Sequence, residues 1–216
     1  MGIMAIITDI TKQKRNRERY NIYIDREYAF SLSAELLIKY NIKKGNTIDE
    51  KELKELVSKE NTKKAYNMTL NYLKYRMRSQ REIEAYLKRK GFDYENIERV
   101  VEKLKEYDLI DDEAFAKALM RDTVSAKPVG RRMVAYKLKQ KGVPDEIIDM
   151  TVELIDDEEE FERARELAQK QYRRYGGCPT TKELHKIGRT MARRGFNWDT
   201  INRVLKEVRE EYGDNT

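Results

Sequence analysis

The chain has 216 residues, of which 39% are hydrophobic and 39% charged, with a net charge of +6, ten glycines, three prolines and one cysteine. That length allows one large or two small domains, and so high a charge fraction favours thin helical modules over one deep core. No apolar run approaches the roughly 18 residues of a membrane span. Met1 to Ile10 lacks the basic n-region of a secretory signal, and Met1-Gly2 lacks the hydroxyl residue a myristoylation motif wants. A lone cysteine, Cys178, can make neither an internal disulfide nor a zinc site. A cytoplasmic, cofactor-free protein with no membrane attachment is the expectation.

The first 60 residues read as a small α+β module. Ala5 to Ile10, Tyr20 to Ile24 and Glu27 to Leu32 are rich in β-branched and aromatic residues, and Asp25-Arg26 makes a tight connection between the last two. These segments predict a β-hairpin or three-stranded sheet. Its first loop, Lys12 to Arg19, holds five bases and one acid and reads as a solvated turn or a phosphate-reaching arm. Ser33 caps a short helix, Gly45-Asn46 turns, and Asp49 caps a helix carrying Leu53, Leu56 and Val57. The polar stretch Ser58 to Lys64 reads as the join to the rest of the chain.

From there the chain repeats itself three times. Counted from Gly91, apolar residues stand at −8, −4, +6, +9, +10 and +13: Ile83, Leu87, Ile97, Val100, Val101 and Leu104. The same ruler on Gly142 gives Val134, Leu138, Ile148, Thr151, Val152 and Ile155, and on Gly195 it gives Ile187, Met191, Ile201, Val204, Leu205 and Val208. Seventeen of these eighteen positions are apolar, Thr151 being the exception. Spacings of three and four mark one stripe of a helix, and glycine at the break is the usual helix stop. Ser79-x-x-Glu82 and Thr180-x-x-Glu183 read as capping boxes, with Pro144 in a first turn. A further helix precedes each pair: about Ala65 to Arg76, Asp112 to Ser125 and Asp157 to Arg174. The expected architecture is mainly α, with three tandem three-helix repeats in an elongated curved array behind the α+β module. The boundaries expected are 1–60, 61–108, 109–155 and 156–216.

Charge separates by helix. Residues 74–90, 127–141 and 182–194, around each middle helix, carry +5, +6 and +4, whereas the third helices at 93–108, 144–155 and 199–211 carry −3, −4 and −1. Helix-dipole complementarity accounts for bases in last turns. It does not account for Arg76, Arg78, Arg81, Arg131 and Arg132, which stand at helix starts and therefore suggest an anionic partner. The candidate partner-facing stripe is Arg76, Arg78, Arg81, Lys88 and Arg89 in the first repeat, and Lys127, Arg131, Arg132, Lys137, Lys139 and Lys141 in the second. In the third repeat it is Lys182, Lys186, Arg189, Arg193 and Arg194. Tyr72, Tyr75, Tyr172 and Tyr175 could stack on bases, but their helical spacing reads better as core or boundary.

No catalytic constellation is present. His185 is the single histidine and reads as a surface residue, and no glycine-rich phosphate loop occurs. The pairs Asp111-Asp112 and Asp156-Asp157 read as helix caps rather than metal ligands. No enzyme, metal or cofactor is expected.

The pattern Tyr72-Leu73-x-x-Arg76-x-Arg78-Ser79-x-x-Glu82-Ile83-x-x-Tyr86-Leu87-x-x-Lys90-Gly91-Phe92, followed by Leu109-Ile110-Asp111-Asp112-Glu113-x-Phe115-Ala116, resembles the RecX family of bacterial recombination regulators. Lys127-Pro128-x-Gly130 and Leu138-x-x-Lys141-Gly142 resemble its second unit, and Arg194-Gly195-Phe196-x-Trp198-Asp199-x-Ile201 its third. Lys137 departs from the acidic residue common there. The resemblance implies a non-enzymatic protein that binds the RecA–DNA filament and modulates its ATPase, strand exchange and growth, with inhibition the expected direction, thereby regulating DNA repair and homologous recombination; a monomer is the expected state. The alternative is a sequence-independent module that binds single-stranded or duplex DNA without RecA.

Overall fold

The structure is a computed structural model describing residues 4–14, 18–176 and 179–213. The centre of the basic loop (15–17), Cys178 with Gly177, and the end of the C-terminal tail (214–216) lie outside the described residues. The molecule divides into two compact units, Met1–Arg76 with Ile83–Tyr107, and Met77–Glu82 with Asp108–Thr216.

The first unit begins with an antiparallel meander of β1 (Met4–Lys12), β2 (Arg19–Ile24) and β3 (Glu27–Ser33). Ile24 pairs with Glu27. The two residues between them, Asp25 and Arg26, have φ of 50° and 71°, the left-handed pair that a two-residue hairpin turn requires. A fourth strand, β4 (Thr47–Asp49), pairs with β1 on its other edge and gives the order β3-β2-β1-β4. It is three residues long and carries no alternation to read. Alternate residues Ala5, Ile7, Ile22, Ile24 and Leu32 bury one sheet face against Leu36 of α1 (Ala34–Lys39) and against Leu53 and Val57 of the next helix.

That helix, α2, runs without a break from Glu50 to Leu73. The join expected at Ser58 to Lys64 is therefore helix, and the boundary drawn at residue 60 falls inside it. The stretch contains neither proline nor glycine, and its lysines and glutamate cost a helix little. It is polar because it covers a polar seam. The Ser58 and Thr62 hydroxyls donate to Asn96 Oδ1 at 3.4 and 2.7 Å, while Asn96 Nδ2 donates to both Asp93 oxygens at 2.7 and 2.8 Å. Helices α3 (Gln80–Arg89) and α4 (Tyr94–Glu106) complete this bundle. The chain leaves helix after Leu73, three residues earlier than the apolar spacing suggests.

The second unit contains α5 (Asp112–Ala126), α6 (Arg131–Gln140) and α7 (Asp145–Glu153), then α8 (Asp157–Arg174), α9 (Thr181–Arg193) and α10 (Trp198–Glu211). Of the eighteen ruler positions, all but Val152 and Leu205 are buried, and those two are half-buried. Thr151 is tolerated inside because its hydroxyl donates to the Ile147 carbonyl at 2.6 Å, one turn back. Each trio has its own core: Phe115, Val134, Leu138 and Ile148 in one, and Phe161, Tyr172, Ile187, Met191 and Phe196 in the other.

Hydrogen-bonded junctions of one design recur within this unit. At the first, Ser79 Oγ donates to the Lys141 carbonyl at 2.5 Å and Asp112 accepts the Gln80 N–H at 2.8 Å. At the second, the Gly130 N–H donates to the Arg194 carbonyl at 3.0 Å and Glu160 accepts the Arg131 N–H at 2.9 Å. In both, the start of one middle helix meets the end of the next repeat's middle helix. In both, an acid from the following first helix satisfies the N1 amide, one of the orphan donors at any helix start. Gly142 and Gly195 have φ of 72° and 88°, and a Cβ there would collide with Arg81 and Met133 respectively. The glycine stops thus serve twice, in helix termination and in close approach of the neighbouring repeat.

Candidate functional site

Each middle helix buries one stripe and turns the opposite face outward. In α9, Ile187 and Met191 point into the core while Lys182, Lys186, Arg189 and Arg193 are exposed. These four follow at intervals of four, three and four residues, so they form one continuous outer row. In α6, Val134 and Leu138 are buried and the exposed residues Arg132, Tyr136 and Lys139 share the outer face. In α3, Ile83 and Leu87 are buried, with Arg81, Lys88 and Arg89 exposed.

Other candidate cations have different surroundings. Arg131 is half-buried, and its Nη1 lies 2.6 Å from Asp157 and 3.2 Å from Glu160, whose side chain is 5% exposed. Its Nε donates to the Val152 carbonyl at 3.2 Å and its Nη2 to the Ile155 carbonyl. Arg131 is a structural clamp between repeats. The anion that its position at a helix start calls for is supplied internally, by Glu160. In the sequence, the signal for this is the acidic run Asp156 to Glu160, longer than capping needs. Lys141 is half-buried and pairs at 2.9 Å with Glu82, whose side chain is 16% exposed. Arg76, Arg78 and Arg81 are each engaged within the chain.

The remaining candidates face solvent or sit at junctions. Lys139 meets Asp145 at 3.1 Å with both side chains more than 70% exposed, a pair that contributes little to stability. Lys137 donates to Thr123 at 3.4 Å. Lys127 is exposed at the end of α5, and Arg194 is half-buried where its carbonyl joins the second junction. In α9 the single acid, Glu183, is turned back to the helix start, accepting from the Thr180 N–H and hydroxyl, each at 2.8 Å. The Thr180 backbone bond in particular holds this carboxyl below its ordinary value.

The aromatic candidates divide. Tyr172 is fully buried in the third core and Tyr175 packs against it. Tyr72 stacks on Tyr86 with ring centroids 4.2 Å apart, and Tyr75 is exposed. His185 is on the surface. Asp111 and Asp156 cap α5 and α8 through their first-turn amides. Among the described residues, no group of three or more His, Cys, Asp or Glu side chains is arranged to hold a metal. No helix among them is long and apolar enough to cross a membrane.

Comparison with known proteins agrees with this anatomy. Residues 5–49 match the regulatory protein RecX N-terminal domain, and residues 65–104, 111–151 and 157–205 match the first, second and third RecX three-helix domains. The chain is 36% identical over 205 residues to the regulatory protein RecX of Clostridioides difficile (strain 630), covering 95% of this chain and 96% of that one. It is 32% identical over 211 residues to the regulatory protein RecX of Bacillus velezensis, covering 98% and 80%. A crystal structure of regulatory protein RecX superposes with a TM-score of 0.67 at 32% identity, over 94% of this chain and 99% of that one. The crystal structure of RecX from Lactobacillus salivarius gives 0.65 at 28% identity, over 69% and 97%. With all four domains matched in order and relatives above 30% identity along nearly its whole length, the chain belongs to the RecX family of regulatory proteins.

Proposed function

We propose that this chain is a non-enzymatic, cytoplasmic regulator that binds the RecA–DNA filament as a monomer and restrains its ATPase, strand exchange and growth. Family membership supports a regulatory role. The observation that carries the reading is the outer row of α9, where four cations face solvent along three turns. Such a row suits a regular polyanionic or nucleoprotein partner, whose phosphates or acidic side chains recur along its length. The exposed cations of α3 and α6 outside the junctions, Lys88, Arg89, Arg132 and Lys139, extend the same chemistry. Arg131 and Lys141 support it indirectly, by holding the junctions.

The test is RecA ATPase on single-stranded DNA, with filament length measured in parallel, in the presence and absence of this chain. Slower hydrolysis and shorter filaments are the expected results. Unchanged hydrolysis and unchanged length at saturating protein would refute the reading.

A further inference from the structure

We propose that the outward face of α6 is a contact site for single-stranded polynucleotide, with Tyr136 as a base-stacking platform between two phosphate-binding cations. Arg132, Tyr136 and Lys139 are spaced by four and three residues, which puts them on one face of the helix, opposite the buried Val134 and Leu138. Seven residues at the helical rise separate the two cations by about 10 Å along the axis, a span that a short stretch of extended strand can bridge.

A single exposed tyrosine is ordinary. This one differs in its neighbours. It is 57% exposed, and its hydroxyl accepts from Gln140 Nε2 at 2.7 Å, so the phenol end is tethered on the helix surface. Arg132 makes no side-chain ion pair among the described residues, and the bond from Lys139 to Asp145 is solvent-exposed and easily exchanged for a phosphate. Residues 127–141 carry six bases and no acid, so nothing within the segment repels a polyanion.

The repeats supply an internal comparison. At ten, six and three residues before the glycine stop, α6 has Arg132, Tyr136 and Lys139, α3 has Arg81, Ala85 and Lys88, and α9 has His185, Arg189 and Ala192. The first repeat keeps both cations and lacks the ring, which suits backbone contact alone. An aromatic platform adds something a duplex cannot use, because paired bases are already stacked inside the helix. Unpaired bases present their faces to it irrespective of sequence.

The inference deepens the filament reading, and rests on it, in that the strand met in the cell is the one a filament carries; direct binding is testable without RecA. The full chain is titrated against a fluorescein-labelled dT oligomer and a labelled duplex at several salt concentrations. Tyr136→Ala should weaken dT binding about tenfold, leave duplex binding within about twofold, and leave the salt slope unchanged. Tyr136→Phe keeps the ring and loses only the Gln140 tether, so it should bind dT within about threefold of wild type. The double change Arg132→Gln with Lys139→Gln should reduce the salt slope on dT by about 1.4, two phosphates' worth. Equal losses on both nucleic acids for Tyr136→Ala, or no loss on dT, would overturn the proposal, as would a wild-type chain that does not bind dT. RecA ATPase measured on the same samples separates the two ideas. Altered hydrolysis without dT binding sinks this site and spares the regulator, whereas dT binding with unaltered hydrolysis does the reverse.

Discussion

Glu160 holds Arg131 at two points: its carboxylate accepts the Arg131 N–H at 2.9 Å and lies 3.2 Å from the same residue's guanidinium. With the glutamate side chain only 5% exposed, this is a largely desolvated pair at the joint between two separate helical cores. Removing one member leaves a buried charge uncompensated, which is costlier than the net value of the pair. Arg131→Glu should therefore destabilise the protein by about 3 kcal/mol, read as a lowered urea midpoint. Arg132→Glu, one residue on and solvent-facing, should move the midpoint by less than about 0.5 kcal/mol. Equal midpoints for the two variants would show that Arg131 is not a clamp.

The same joint constrains Gly195. Its φ is 88°, and a Cβ would meet the backbone nitrogen and Cβ of Met133. Gly176, in the same unit, has φ of 71° and open space for 4 Å around the position a Cβ would take. Gly176→Ala should show only the left-handed backbone cost, about 1 to 2 kcal/mol. Gly195→Ala adds a collision with a neighbouring repeat and should cost at least about 1 kcal/mol more. Thermal or urea unfolding of the two variants side by side decides this.

Core positions should divide by chemistry. Leu138 is fully buried, and Leu138→Ala should cost about 2 to 5 kcal/mol through lost transfer energy and the cavity left behind. At Thr151, the hydroxyl returns to the Ile147 carbonyl, so Thr151→Val removes a polar group together with its need for a partner. That variant should stay within about 1 kcal/mol of wild type, on either side. A large loss at Thr151→Val would mean the hydroxyl has a role beyond satisfying itself.

Two carboxylates should respond to acid. Glu183 is held below the ordinary value of 4.5, first by the Thr180 backbone N–H and then by its hydroxyl. Glu211, which meets Gln169 and Arg165, is lowered chiefly by the Gln169 hydrogen bond and next by the Arg165 one. A depressed folded pKa means stability that is present above the unfolded value and is lost as pH falls through the folded one. NMR titration should place both midpoints below 4.5. Glu183→Gln should flatten the acid limb of the stability curve, and an unchanged limb would contradict the capping role.

Much of this architecture is legible in the residues because it rests on local rules. The glycine ruler locates the helix stops of all three repeats, and those glycines are left-handed in the structure. The core stripes follow from spacings of three and four. What the residues conceal is pairing at a distance. Glu160 and Arg131 lie 29 positions apart, and the acidic run around Glu160 signals a surplus of anions without naming the cation that takes one. An arginine at a helix start therefore reads as inviting an external anion when the anion is already inside. The polar run from Ser58 to Lys64 misleads for a related reason. Polarity without proline or glycine does not mark a linker, and here it marks a helix face set against Asn96. The outer row of α9 is accessible to sequence reasoning, because one face of one helix needs no distant partner to define it.

The cations proposed to carry the regulatory contact are those on the outer faces of the middle helices, not those within the junctions. Replacing Lys182, Lys186, Arg189 and Arg193 together by Gln tests this most directly, since all four are exposed and none joins either hydrogen-bonded junction. The measurement is the concentration of protein that half-inhibits RecA ATPase on single-stranded DNA, with the unfolding midpoint as a control. At least a tenfold rise in that concentration is expected at an unchanged midpoint, equivalent to about 1.4 kcal/mol of lost binding. Half-inhibition at the wild-type concentration, with the variant folded, would contradict it.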